Sequence, residues 1–205
     1  MITVAKYKHK YFKAICKLTD HEWDMGKTMA KTKNLLPTKF YYYLAFRDHP
    51  VYHYVLLDNG ECIGYIALAD CRKKNSIFKR AWYNFLMWFT TIRMKSPSGF
   101  KKFWSYYDFI PPVGSFDCDC ELKHWIVHEA YRKNHNGKHL WTVAMAQARN
   151  LGLRNMIIYT DNTSSYWVYD MMGATRELER DVDFTADGYR VNDPEHAIMF
   201  KYKIK

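Results

Sequence analysis

Residues 118–173 switch repeatedly between strand-forming and helix-forming patterns, and that order strongly constrains the fold. CDCELKHWIV (118–127) reads as a strand and HEAYRKNHNG (128–137) as a polar loop. KHLWTVAMAQARNLG (138–152) sets Leu140, Val143, Ala144 and Ala148 on one helical face and closes at Gly152. MIIYT (156–160) is a short buried strand. A helix over about 165–172, capped by Ser164 or Ser165, stops at Gly173. Elements in this order build a sheet covered by helices.

The flanking segments extend the sheet. Apolar residues at 11, 12, 15 and 18 predict a helix over 8–18, and 28–47 reads as a helical region interrupted at Pro37. Strands are expected at about 52–57 and 62–69, because two β-rich runs flank Asn59-Gly60, the strongest two-residue hairpin turn. Two more follow, at about 174–184 and 196–203. The expectation is an α+β fold, a mixed sheet with helices on its faces. At 205 residues, the chain is expected to form a single domain.

Charge is distributed unevenly. The net charge is +10, and residues 71–104 carry nine basic side chains and no acidic one. Residues 161–195 run the other way, with nine acidic against three basic. A uniformly basic nucleic-acid binder is not built so, and nucleic acid is disfavoured as a partner. The basic stretch belongs to an aromatic insertion at about 71–117. Within it, 78–94 predicts a helix with Trp82, Phe85, Phe89 and Ile92 on one face. The preferred use of the insertion is a lid whose aromatics complete the core. A homodimer or partner surface is a second use, and peripheral contact with anionic lipid through 78–94 is a less favoured one. The longest nearly apolar run, 81–89, is far short of the ~20 residues a membrane span needs. The start of the chain has no apolar leader, and the five cysteines follow no framework spacing. A cytoplasmic protein with reduced thiols is expected.

The loop before the 138–152 helix suits an anion. Free backbone N–H groups point out of a helix N-terminus, and the helix dipole adds to their pull. Arg132, Lys133 and Lys138 bring positive charge, while Gly137 permits close backbone approach. Neither a Walker A loop nor a G-x-G-x-x-G loop is present.

Arg132-x-x-His135-x-Gly137 resembles the Q/R-x-x-G-x-G/A pyrophosphate loop of the GCN5-related N-acetyltransferase (GNAT) superfamily, with His135 where the first glycine is expected. Residues 126–131 (IVHEAY) are similar to the family's V-x-P-x-Y/F strand exit. Tyr159-Thr160-Asp161-Asn162 resembles the fifth strand with its terminal Asn, and residues 166–174 (YWVYDMMGA) resemble A-x-x-x-Y-x-x-x-G-F. The hairpin 52–69, with Gly64, looks like the second and third strands. The resemblance spans about two-thirds of the chain.

The resemblance implies a largely antiparallel sheet with helices on both faces. It also implies transfer of an acetyl group from acetyl-CoA, as co-substrate, to a primary amine by direct attack in a ternary complex. The fourth and fifth strands would splay around a bulge. Backbone N–H groups of Ile126 and Val127 would meet the pantetheine and thioester, and 132–138 (Arg132, Lys133, Asn134, His135, Asn136, Gly137 and Lys138) would hold the diphosphate. Asn162 would offer its amide to the pantetheine. Tyr169 would protonate the departing thiolate, in contact with the cofactor. An amine of pKa ~10.4 is only about 0.04% neutral at pH 7, so a base is useful. Glu121 is favoured, against Asp119, His124 or a water chain. Strand alternation groups Asp119, Glu121, Lys123, Trp125 and Val127 on one face, unless a bulge intervenes.

No metal site is expected, since Cys118-x-Cys120 with His124 and His128 lacks a zinc spacing. The acceptor is expected to be a small-molecule or peptide amine. An acidic wall formed by 161–195, with Asp119 and Glu121, would favour a cationic one. The alternative function is a non-catalytic acyl-CoA-binding or basic interaction module, with His135 as the mark of a degenerate site.

Overall fold

The structure is a computed structural model that describes residues 1–25, 34–94, 117–132, 134–162, 164–182 and 195–205. Seven strands form one sheet: β1 (Ile2–Lys6), β2 (Val51–Asp58), β3 (Glu61–Asp70), β4 (Cys120–Val127), β5 (Asn155–Asp161), β6 (Thr175–Val182) and β7 (Glu195–Lys203). Their spatial order is β1-β2-β3-β4-β5-β7-β6, and every pairing is antiparallel except β4–β5. Among the described residues the α-helices are α1 (Phe12–Trp23), α2 (Leu36–Arg47), α3 (Ile77–Arg93), α4 (Asn136–Asn150) and α5 (Trp167–Met171). Among the described residues, no helix is long and apolar enough to cross a membrane.

The β2–β3 turn forms as expected. Asn59 (φ 48°) and Gly60 (φ 89°) both take positive φ, the requirement of a type I′ turn that matches strand twist. One sheet face is covered by α4, whose Leu140, Ala144 and Ala148 are fully buried against Leu56, Ile66 and Ile158. The other is covered by α1 and α2, through Ile15, Leu18, Tyr42 and Phe46 against Val55, Tyr65 and Ile126. A Cβ on Gly64 would lie 3.1 Å from Leu56 Cβ and 3.2 Å from Leu140 Cδ1, so its missing side chain lets α4 sit close on β3.

Helices α4 and α5 end alike. Leu153 N donates to Ala148 O at 3.0 Å and Gly152 N to Arg149 O at 2.8 Å, with Gly152 at φ 68°. Ala174 N donates to Tyr169 O and Gly173 N to Asp170 O, with Gly173 at φ 80°. Both are Schellman caps, so the glycine stops are confirmed with their reason.

Two expectations need correction, and a third falls partly outside the described residues. The chain opens with an edge strand, β1, that the sequence reading passed over; five residues without a turn signal before them carry little pattern. Of the helical region expected over 28–47, residues 28–33 lie outside the described ones; the described helix α2 has Pro37 in its first turn, where its missing N–H costs nothing, and Asn34 Oδ1 accepts the Leu36 N–H at 3.0 Å. Neither Ser164 nor Ser165 caps α5; Ser164 instead donates its N–H to the Asp161 carboxylate at 3.1 Å, leading into a helix that begins at Trp167.

Candidate active site

The parallel pairing of β4 with β5 is short. It joins Cys120 to Met156, Glu121 to Ile157 and Leu122 to Ile158, and stops there. β4 continues to Val127 and β5 to Asp161 without pairing to each other, so a wedge opens between them. The register against β3 explains the divergence. Ala67 faces His124 and Leu68 faces Leu122, leaving Lys123 as an extra residue, a bulge that bends β4.

The bulge reverses the alternation. Cys120, Leu122, Trp125 and Val127 all pack on the α4 side, while Ile126 packs on the α1/α2 side. Glu121 and His124 therefore share a face with Ile126, not with Val127. The main chain is sorted in the same way. His128 N donates to Ile63 O at 2.9 Å, toward β3, so alternation turns the Ile126 N–H toward β3 as well. Val127 and Trp125 are left to present their amides to the wedge. Of the two amides expected there, that of Val127 faces the wedge and that of Ile126 faces β3, with the Trp125 amide on the wedge side beside Val127.

The loop leading into α4 is braced from several sides. Arg132 Nε donates to Val127 O at 3.0 Å, and its guanidinium forms an ion pair with Glu22 of α1. Asn136 is buried and donates its side-chain amide to Tyr131 O at 2.9 Å. Asn134 (φ 66°) and His135 (φ 59°) are both left-handed, so His135 adopts the conformation that glycine would favour. α4 starts directly after His135, with no side-chain cap from that residue and no acidic residue in its first turn. Gly137 lies over the Trp125 indole, where a Cβ would be 3.5 Å from the ring. Lys138 is exposed beside it, and Lys133 lies outside the described residues.

Tyr169 closes the α4 side of the wedge. Its ring is 6.0 Å from Trp125 of β4 and 5.5 Å from Phe200 of β7, the residue paired with Ile158 where the strands part. Among the described residues its hydroxyl has no hydrogen-bond partner. Burial pushes its pKa above the ordinary tyrosine value, and the Asp161 charge adds to this, so the phenol stays protonated at neutral pH. Asn162 continues β5 by exchanging bonds with His196: its N–H donates to His196 O at 3.0 Å, and its side-chain oxygen accepts the His196 N–H at 3.1 Å.

The three candidates for the base fall in different settings. Asp119 accepts the backbone N–H groups of Arg154 (2.6 Å) and Asn155 (3.0 Å), so it ties β4 to β5. His124 is enclosed by Trp23, Tyr41, Tyr42 and Tyr65, with its Nδ1 3.4 Å from the Tyr41 hydroxyl. Burial pushes its pKa down to about 3, and a group held neutral so firmly is a poor proton acceptor. Glu121 is buried with one oxygen 2.6 Å from Lys123 Nζ, itself supplied by the bulge.

The acidic stretch is less open than its composition suggests. Arg176 pairs with Asp170 (2.6 Å) and Glu179 (3.0 Å), and His196 pairs with Glu179 (2.9 Å) and Asp181 (2.8 Å). Residues 183–194 lie outside the described ones.

Residues 13–174 match the family model of the acetyltransferase (GNAT) family. The chain belongs to this family. Solved acetyltransferase structures share the fold over the full length of this chain. The ribosomal-protein-S18-alanine N-acetyltransferase from Escherichia coli aligns with TM-score 0.55 and 12% identity, over 100% of this chain and 95% of that one. An N-acetyltransferase from Staphylococcus aureus Mu50 aligns with TM-score 0.57 and 12% identity, over 100% and 99%. YncA from Salmonella typhimurium, assigned as an acetyltransferase and solved with acetyl-CoA, gives TM-score 0.57 and 14% identity, over 100% and 94%. Comparison with curated proteins found no match. The GNAT assignment bears out the α+β fold, and the described sheet is largely antiparallel with helices on both faces, as expected. Trp125 and Glu22 are the residues of this site that sequence reasoning missed. The first needed the bulge to be located, and the second is brought to the loop only by the packing of α1.

Proposed function

We propose that the protein transfers an acetyl group from acetyl-CoA to a primary amine by direct attack within a ternary complex. The observation that carries this reading is the wedge beyond Leu122 and Ile158, with the Val127 amide turned into it and Tyr169 at its side. The diphosphate would lie on the first turn of α4, among Arg132, Lys133, Asn134, His135, Asn136, Gly137 and Lys138, and Asn162 would flank the pantetheine. The amides of Val127 and Trp125 would take up the pantetheine and the charge developing on the thioester oxygen. A single such donor is worth on the order of 10²–10³ in rate. Tyr169, protonated and without a competing partner among the described residues, would donate its proton to the departing thiolate. Glu121 would receive the proton of the attacking amine, with Lys123 beside it holding the carboxylate in place.

The acceptor is a small-molecule or peptide amine. Pairing of Asp170, Glu179 and Asp181 with Arg176 and His196 weakens the argument for a strongly cationic one. The left-handed backbone at His135 favours a working cofactor loop over a degenerate one. Titration calorimetry with acetyl-CoA, followed by a thiol-release assay with an amine panel, tests the proposal. Saturable binding and amine-dependent release are expected. Binding without release for any amine would favour the non-catalytic acyl-CoA-binding module, and absence of binding would overturn the transferase and leave the basic interaction module.

A further inference from the structure

Helix α3 was expected to turn its aromatic face into the core, and it does the reverse. Met87 and Thr90 are buried, with Tyr83 and Leu86 half-buried, and Met87 packs with Phe40 and Leu44 of α2. Phe78 (88% exposed), Trp82 (59%), Phe85, Trp88 (59%), Phe89 and Ile92 lie on the opposite side. At 3.6 residues per turn these six occupy an arc of about 120° with no charged residue inside it. Their rings are already assembled: Trp82 and Phe85 are 5.6 Å apart, Phe85 and Trp88 6.0 Å, and Phe85 and Phe89 6.3 Å. Exposed apolar side chains scattered singly need no explanation, but a contiguous slab of this kind marks a contact surface.

The charge around the slab selects its partner. Residues 71–94 carry six basic side chains and no acidic one. Arg80 is paired with Asp48 and Arg72 with Asp70. Among the described residues Lys74, Lys79 and Arg93 are paired with no carboxylate. Arg93 lies at the margin of the apolar arc, 5.4 Å from the Phe89 ring, and Lys74 precedes the helix. Long basic side chains at that margin can stretch outward from an embedded apolar face to anionic groups. A second copy of the chain would bring the same positive margin and be repelled by it. An anionic bilayer offers what both parts need, a hydrocarbon boundary for the rings and negative headgroups for the cations.

We propose that α3 docks the protein on the surface of an anionic membrane, lying in the headgroup plane with Trp82, Phe85 and Trp88 inserted. The helix has 17 residues, so it lies on the bilayer and does not cross it.

The test is co-sedimentation of the full chain with two kinds of vesicle, phosphatidylcholine alone and phosphatidylcholine with about one-third phosphatidylserine. Binding to the anionic vesicles should be at least about tenfold stronger and should fall as salt is added. Trp82→Glu with Trp88→Glu should weaken it at least about tenfold, because both rings would be lost from the inserted face. Lys74→Glu with Arg93→Glu should abolish the preference for the anionic vesicles. Unchanged circular dichroism and unchanged acetyl-CoA affinity would show that these exposed substitutions leave the fold intact. The proposal is overturned if the parent binds neither vesicle or if both variants bind as the parent does. It also fails if sedimentation shows a dimer that Trp82→Glu dissociates while vesicles are ignored, since a second copy would then be the occupant. Binding of single-stranded nucleic acid in place of vesicles would overturn it as well.

Discussion

The amide of His128 donates to the carbonyl of Ile63 at 2.9 Å, and this bond sets the parity of the end of β4. With His128 committed to β3, alternation leaves Val127 and Trp125 facing the wedge. The side chain of Trp125 meanwhile supports both Gly137 and Tyr169. One residue thus couples the proposed diphosphate loop to the proposed general acid.

Gly137 gives the first prediction. A Cβ there meets the Trp125 ring at ordinary contact distance, so Gly137→Ala should fold normally and bind acetyl-CoA within about threefold of the parent. Gly137→Val adds two methyls that must push either the indole or the ligand, and should weaken acetyl-CoA at least about tenfold. Calorimetry on both variants checks this; equal affinity for parent and Val variant would remove the diphosphate from this loop.

Tyr169→Phe keeps the ring packed against Trp125 and Phe200 and removes only the hydroxyl. It should lower kcat by about 10²-fold with acetyl-CoA affinity nearly unchanged. Since burial raises the Tyr169 pKa, the parent should show no loss of kcat from phenol ionisation below about pH 10. A variant as fast as the parent, under conditions where chemistry limits the rate, would take the role away from Tyr169.

For Glu121 the informative variable is pH. If its carboxylate takes the proton from the amine, Glu121→Gln should reduce kcat/KM by about 10²-fold or more at pH 7. The deficit should shrink as pH approaches the pKa of the amine, about 10.4, where the acceptor is already neutral. A deficit that does not change with pH would point to a structural role for the Glu121–Lys123 pair.

His53 and His124 make stability depend on pH. Burial pushes the pKa of His53 down to about 4 and that of His124 to about 3, while the unfolded chain titrates near 6.5. Between those values the unfolded state holds protons that the folded state does not. The stabilisation is therefore full above about pH 6.5 and is lost as pH falls toward 4 and then 3, by at most about 1.4 kcal/mol per pH unit for each histidine. Urea midpoints between pH 7.5 and pH 4.5 should show this slope, and His124→Gln should flatten it. Parallel curves for parent and variant would mean that His124 titrates normally in the folded protein.

Several of these features were legible in the sequence for identifiable reasons. Asn59-Gly60 and the glycine stops at 152 and 173 were readable because each backbone conformation needs φ > 0, and few residues supply it. The loop into α4 was readable because its residue types and spacing are local. The faces of β4 were not, because the bulge at Lys123 is imposed by pairing with β3 and has no signal of its own. Helix α3 was located within a residue at each end but faced the wrong way. It carries two apolar arcs, and periodicity alone does not say which one meets α2.

The shortness of the β4–β5 ladder has a mechanical consequence. Among the described residues, three ladder pairs join the panel β1–β4 to the panel β5–β7–β6, and they and the Asp119 bonds beside them lie at one end of the seam. A molecule seated in the open end would clamp one panel to the other. Acetyl-CoA binding should then appear as slowed hydrogen exchange along both lips of the seam. At a hundredfold excess over Kd it should add about 2.7 kcal/mol to unfolding, as much reinforcement as several extra rungs would give.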